Sequence, residues 1–511
     1  MKSWLGIFSA VATLVVIAAA AVVTVGGCRG NFGRGSAEGE DFLATGKTFS
    51  HFTAVQIDPR SEDSAGPQFV VAEDLNGDGL LDLVSAWNQT QPVQVHLQRR
   101  NTAGEVAFET ITLAGSVPVI AVAGLAVTDF DADGQFDIAV LAKETLLEGP
   151  ECLASERPDT GLSGLILIYL GPADVARANQ ALAWDEVPIG ISFLQGLGSS
   201  NGLPEEGGYT AMAVGDMDLD ADMDIVVAWN SSCGENGTDD VLVFTNNGRL
   251  SVRDGTWSAS LLPDSFPRGT AIKDVALADV DLDGDLDVVA TRPDAPTMNV
   301  RWFRNPVVDV PDDFHLSNGQ WQVGIVGQIA TGADLIELDD IDQDGIVDVL
   351  VRSSGGGLLQ WLKGPEGPTT APLRAIPWQV FTLAEFPERV PEAIATGDLN
   401  FDGQVEVMAA AEGGLVWFDS QQPPTIFDQW DENLIIDDRP SGEDDDDPAT
   451  TDPGVAPSDV AGSTVMNSIL VADLDGDGAS DLIVTLDRSG LSGLTNDALV
   501  WFRNTRTPPR F

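Results

Sequence analysis

The chain has 511 residues, 43% of them hydrophobic, enough to bury a large core and too many for a globally disordered polypeptide. Asp and Glu number 80 against 26 Lys and Arg, a formal charge of −54. That sign excludes nucleic acid, whose phosphates need a basic footprint, and electrostatic adhesion to an anionic membrane face. Self-repulsion of this size strains a compact fold, so bound cations or a salty medium must offset it.

Lys2 precedes an apolar stretch from Trp4 to Gly27, and residues 1–27 read as a signal peptide. Its end, VGGC (25–28), resembles the lipobox of bacterial lipoproteins. The resemblance implies that Cys28 is acylated and becomes the mature N-terminus. With Arg29 rather than Asp after it, the resemblance further implies an outer-membrane or cell-surface lipoprotein. The alternative is an uncleaved N-terminal transmembrane anchor, for which the stretch is long enough. Both readings export the rest of the chain. Residues 28–46 read as a flexible Gly/Ser tether, and a repeat region follows over 47–507.

That region opens with FTAVQI (52–57), a strand pattern. Next come FVVAED (69–74), an acidic string DLNGDGLLD (74–82), DLVSAW (82–87), VQVHLQ (93–98) and FETITL (108–113). Short β-branched runs of this kind are strands rather than helices, so the acidic string is the loop of a hairpin. The unit then recurs. We label its strands A to D, with the acidic loop between A and B. Strand C carries patterns such as VRWFRN (300–305) and LVWFRN (499–504), and strand D begins with an aromatic, as in WQVGIV (321–326).

The loops start at 74, 129, 216, 279, 340, 398 and 473, separated by 55, 87, 63, 61, 58 and 75 residues. A period near 60 signals a solenoid, a propeller or an array, and four antiparallel strands per repeat make a propeller blade. The chain ends on a strand C and begins on a strand with the D pattern. The N-terminal strand is therefore expected to complete the last blade and close a seven-bladed, all-β ring, removing the open edge.

Within each loop, positions 1, 3, 5 and 9 carry oxygen ligands. They are Asp74, Asn76, Asp78 and Asp82 in the first and Asp129, Asp131, Asp133 and Asp137 in the second. Asp216, Asp218, Asp220 and Asp224 form the third, and Asp279, Asp281, Asp283 and Asp287 the fourth. Asp340, Asp342, Asp344 and Asp348 follow, then Asp398, Asn400, Asp402 and Glu406, then Asp473, Asp475, Asp477 and Asp481. Ca²⁺ takes six to eight oxygens at about 2.3–2.6 Å, and three alternate side chains of a tight loop, a carbonyl near position 7 and the carboxylate at 9 can supply them. Glycine at position 6 permits the turn; Ala221 replaces it in the third loop. An EF-hand would need Glu at position 12 and flanking helices, but that position is Ser85 or Val140 inside an apolar strand. The expectation is about seven structural calcium ions.

The A–loop–B unit resembles the FG-GAP repeat, also called the VCBS repeat, of integrin α-chain propellers and bacterial surface proteins. The resemblance implies calcium loops on one face and ligand binding on the other, built by B–C and D–A connections. By that geometry the long insertions 142–163, 190–209 and 230–239 share the ligand face. Cys152 and Cys233 lie in two of them, and the export reading makes a disulfide between them permissible. The insertion 437–464, with its GEDDDD run, reads as disordered.

Nine of the twelve tryptophans recur at equivalent C and D positions, which means blade packing. Trp87 and Trp229, each in AWN at the end of a strand B, are the remaining ligand-platform candidates. Three scattered histidines, two tyrosines and no nucleophile or phosphate-binding motif give catalysis little support. The reading is a lipid-anchored, calcium-binding surface module for adhesion or scaffolding, with a protein or glycan ligand. A lectin-like propeller and a polysaccharide lyase-like enzyme are the alternatives.

Overall fold

A computed structural model describes residues 48–49, 51–59, 66–89, 91–102, 104–117, 119–145, 165–189, 207–231, 239–262, 272–293, 299–308, 321–329, 332–353, 355–365, 378–386, 390–411, 414–420, 430–437, 465–487 and 498–506. The described residues form a seven-bladed β-propeller of four-stranded antiparallel sheets, the last of which carries a fifth, two-residue strand, Thr48–Phe49, at its outer edge. Blade 1 comprises Pro67–Glu73, Asp82–Trp87, Val93–Arg100 and Val106–Thr112. Blade 2 comprises Val119–Thr128, Asp137–Thr145, Leu165–Leu170 and Asp185–Ile189. Blade 3 comprises Gly207–Gly215, Asp224–Ser231, Asp239–Thr245 and Ser258–Leu261. Blade 4 has Asp274–Ala278, Asp287–Thr291, Val300–Arg304 and Gln322–Gly327. Blade 5 has Leu335–Asp339, Asp348–Ser353, Leu358–Lys363 and Gln379–Glu385. Blade 6 has Ala393–Gly397, Glu406–Ala411, Gly414–Ser420 and Trp430–Asp437.

Blade 7 draws on both ends of the chain. Val465–Ala472, Asp481–Asp487 and Ala498–Asn504 are its strands A to C. Phe52–Pro59 lies outside them as strand D, in a register that sets Phe52 opposite Asn504 and Val55 opposite Trp501.

Strand order within each blade follows the sequence, so all A–B loops gather at one rim and the B–C and D–A connections at the other. The B strands are buried on both faces, which explains their unbroken apolar runs. One hydrophobic cluster fills each junction between neighbouring blades. The last-to-first junction packs Leu470, Leu474, Ile483 and Trp501 against Val70 and Leu83. The C-strand tryptophans Trp302, Trp361, Trp417 and Trp501 are all buried, in keeping with a packing role.

Three short helical pieces were not legible beforehand. The helix Arg249–Asp254 and the 3₁₀ turns Val175–Arg177 and Ala181–Ala183 connect strands C and D of blades 3 and 2. Each is too short to be stable alone or to give a periodic signal.

Candidate metal sites

Six of the seven A–B loops close in one way. The position-1 carboxylate accepts the N–H groups of positions 5 and 6: at Asp74 these are Asp78 N at 3.0 Å and Gly79 N at 2.8 Å. Asp129, Asp216, Asp279, Asp340 and Asp473 repeat the pair. Asp398 instead takes Phe401 N and Gly403 N. The position-5 carboxylate then accepts the N–H of position 7, as at Asp78 and Asp344.

This winding needs two left-handed residues per loop, at positions 4 and 6. Gly79 has φ 83° and Ala221, its equivalent in blade 3, φ 72°. Position 4 is left-handed even where it is Ala132, Leu219, Leu282, Gln343 or Phe401, which no sequence signal had shown.

Position 2 plugs the loop into the core: Leu75, Phe130, Met217, Val280, Ile341, Leu399 and Leu474 are all buried. Position 9 is at most 1% exposed in every loop. Its carboxylate is also a structural pin. Asp287 Oδ2 accepts Val280 N at 3.2 Å, and Oδ1 accepts Asn305 N, just past strand C, at 2.7 Å. Asp82, Asp137, Asp224, Asp348 and Asp481 pin Gln98, Gly171, Asn246, Gly364 and Asn504 in the same way, at 2.7–2.8 Å. Glu406 accepts only Leu399 N, at 2.6 Å, and its Oε1 has no hydrogen-bond partner. Burial pushes these carboxyls up, to about 7 for Asp82, Asp137, Asp348 and Asp481 and about 8 for Asp224, Asp287 and Glu406. Backbone N–H bonds oppose the shift and neighbouring loop carboxylates add to it.

The pinned residue also reaches sideways. Asn305 Nδ2 donates to the position-2 carbonyl of the preceding blade, Met217 O, at 2.8 Å. Asn246 clasps Phe130 O, Asn504 clasps Leu399 O and Gln98 clasps Leu474 O. Loop and neighbouring blade are thus one hydrogen-bonded unit at four junctions.

Whether a cation fits is decided by position 3. Asp131, Asp281, Asp342 and Asp475 are each no more than 7% exposed, yet the Oδ1 of each has no hydrogen-bond donor. A buried, undonated carboxylate oxygen is costly, and a metal ion is the partner that acidic neighbours leave room for. At least five groups among the described residues bring three carboxylates within 4.8 Å of one another, among them Asp129/Asp131/Asp137, Asp216/Asp218/Asp224 and Asp398/Asp402/Glu406. The donor set is all oxygen, suited to Ca²⁺ rather than to softer metals.

With this geometry the family model of one repeat agrees. Residues 43–140 match the FG-GAP-like repeat. The match takes in the first two loops, and the same acidic hairpin recurs in the five loops that follow. No curated protein matches the chain. Among solved structures, BBS1N in complex with ARL6DN, soaked with lead, is 11% identical, with 90% of this chain and 100% of that chain covered and a TM-score of 0.47. The Dos1 propeller is 7% identical, with 90% and 96% covered and a TM-score of 0.43.

Trp87 and Trp229 require a correction. They are 0% and 1% exposed, so neither offers a face to a ligand. Trp87 donates to Ser85 Oγ at 2.7 Å, within a buried chain that runs to His96 and Thr110. Trp229 packs edge-on against Tyr209. Both tryptophans end strands that the ring still covers, so neither reaches the rim as an exposed side chain. Cys28, Cys152 and Cys233, and the insertions apart from their strand ends, lie outside the described residues. No helix among the described residues is long and apolar enough to cross a membrane.

Proposed function

We propose that this chain is a calcium-stabilised propeller that serves as a binding or scaffold module on the exported side of a membrane, tethered through acylated Cys28. The observation that carries the calcium assignment is the buried, undonated position-3 oxygen of Asp131, Asp281, Asp342 and Asp475, set among the other carboxylates of its loop. About seven ions occupy the rim, and their role is structural. The N-terminal strand is the latch of the ring. Binding of a protein partner falls to the opposite rim, from which the long connections of blades 2 and 3 depart. Burial of Trp87 and Trp229 removes the aromatic platform that favoured a sugar ligand.

The test is affinity capture from the cell envelope with the full chain in mild detergent and about 1 mM calcium, run beside a polysaccharide panel. Retention of a defined envelope protein supports the reading. Retention or cleavage of a polysaccharide, with no protein captured, sinks it.

A further inference from the structure

The residue just before each pinned N–H, at the end of strand C, differs from blade to blade. In blade 4 it is Arg304, which bridges Asp281 and Asp283. In blade 5 it is Lys363, which contacts Asp342 and lies 2.6 Å from Asp344. In blade 7 it is Arg503, which contacts Asp475 and lies 3.4 Å from Asp477. All three place a cation across positions 3 and 5 of their own loop, on the Oδ2 atoms. In blade 3 the equivalent residue is Thr245. That loop carries Asp216, Asp218, Asp220, Asp222 and Asp224, and no ion pair to it occurs among the described residues.

We propose that the rim holds two kinds of metal loop: those of blades 4, 5 and 7 are partly neutralised by their own strand-C cation and bind calcium weakly, and that of blade 3 is a tight site. This rests on the calcium reading above. An ion entering loops 4, 5 or 7 must share positions 3 and 5 with the ammonium or guanidinium, or displace it. Either way one unit of attractive charge within a few ångströms is cancelled, and a divalent ion feels that cancellation twice over. Affinity in calcium loops follows the number of ligand charges. The undonated Oδ1 atoms of Asp281, Asp342 and Asp475 keep these loops competent to bind, so they are weak sites rather than dead ones. The cation also holds positions 3 and 5 together when calcium is withdrawn, and in blade 3 no cation among the described residues does so.

Calcium titration by calorimetry on the chelator-treated full chain, as wild type, Arg304→Gln, Lys363→Gln and Arg503→Gln, tests this. Two affinity classes are expected, with each Gln variant tightening one weak site by about tenfold or more. Hydrogen exchange on the wild type with and without EDTA needs no variant: residues 216–224 should lose protection first, while 279–287, 340–348 and 473–481 keep more of theirs. A single affinity class that the Gln variants leave unchanged, or equal deprotection of all the loops, overturns the inference and leaves the calcium reading standing. Absence of any calcium binding overturns both.

Discussion

Ala221 is the one non-glycine at position 6, and its φ of 72° is a conformation in which a β-carbon costs about 1–2 kcal/mol. Ala221→Gly should therefore stabilise the protein by about 0.5–1 kcal/mol after the entropy cost of glycine, read by urea denaturation; a loss of stability would show the strain to be absent. Asp287→Asn should act the other way. Both carboxylate oxygens of Asp287 accept backbone N–H groups, and an amide can accept only one, so about 2–3 kcal/mol should be lost, measured the same way. Protonation gives a signed test. The position-9 carboxyls are raised by burial to about 7–8, above the value of about 4 in an unfolded chain. The folded state then holds protons that the unfolded state has released, so without metal, stability falls as pH rises from about 4 to 8. Calcium needs the deprotonated form, so its stabilisation grows over the same window. The gap in Tm between calcium and EDTA should widen from pH 5 to pH 8; a constant gap would refute the linkage. At this scale the clustering of the loop carboxylates was legible because they recur at fixed spacing. The pinning role of position 9 was not, because its partner lies far along the chain, as with Asp82 and Gln98. Trp87 and Trp229 were misread for a similar reason: burial by a neighbouring blade leaves no mark in the local sequence.

Strands and their order were largely legible, since turn residues bracket every apolar run and the D-strand aromatics mark blade boundaries. The clasps were not. An asparagine after an aromatic strand reads as a turn residue, yet Asn305 and Asn504 tie one blade to the loop of another. Gly171 and Gly364 stand at that position in blades 2 and 5, where a β-carbon would meet Phe136 O at 2.3 Å or Val347 O at 2.6 Å; a glycine has no side chain to form the clasp there. Asn305→Ala should cost about 1–2 kcal/mol by leaving the buried Met217 carbonyl without its donor, and Asn504→Ala less, because Arg506 also donates to Leu399 O, at 3.3 Å. The two sites share no partners, so the double variant should show additive loss in chemical denaturation; a neutral outcome for both would demote the clasps to incidental contacts.

Seven loops on one rim concentrate negative charge that the fold must tolerate. If each site has an extracellular-type dissociation constant of about 10⁻⁴–10⁻³ M, millimolar calcium adds roughly 0.4–1.4 kcal/mol per site, or roughly 3–10 kcal/mol for seven. That is comparable to a typical domain's stability of about 5–15 kcal/mol. EDTA should accordingly lower Tm steeply; an unchanged Tm would remove calcium from the account of the fold. Blade number was legible from the repeat count, whereas the ligand was not, because a propeller reuses one scaffold under unrelated loops. The placement of Phe52–Pro59 beside Ala498–Asn504 adds a constraint in time. A ribosome delivers the strand that finishes the ring first and its partner last. Residues 60–497 separate them, roughly 20–90 s of synthesis at about 5–20 residues per second. Each A–B hairpin can form as it emerges, but for most of that interval Phe52 and Ala54, both buried in the finished ring, lack the blade 6 and blade 7 residues they pack against. The protein is thus committed to a late, long-range closing step, and whatever escorts the nascent chain must keep that first strand from pairing with the wrong edge.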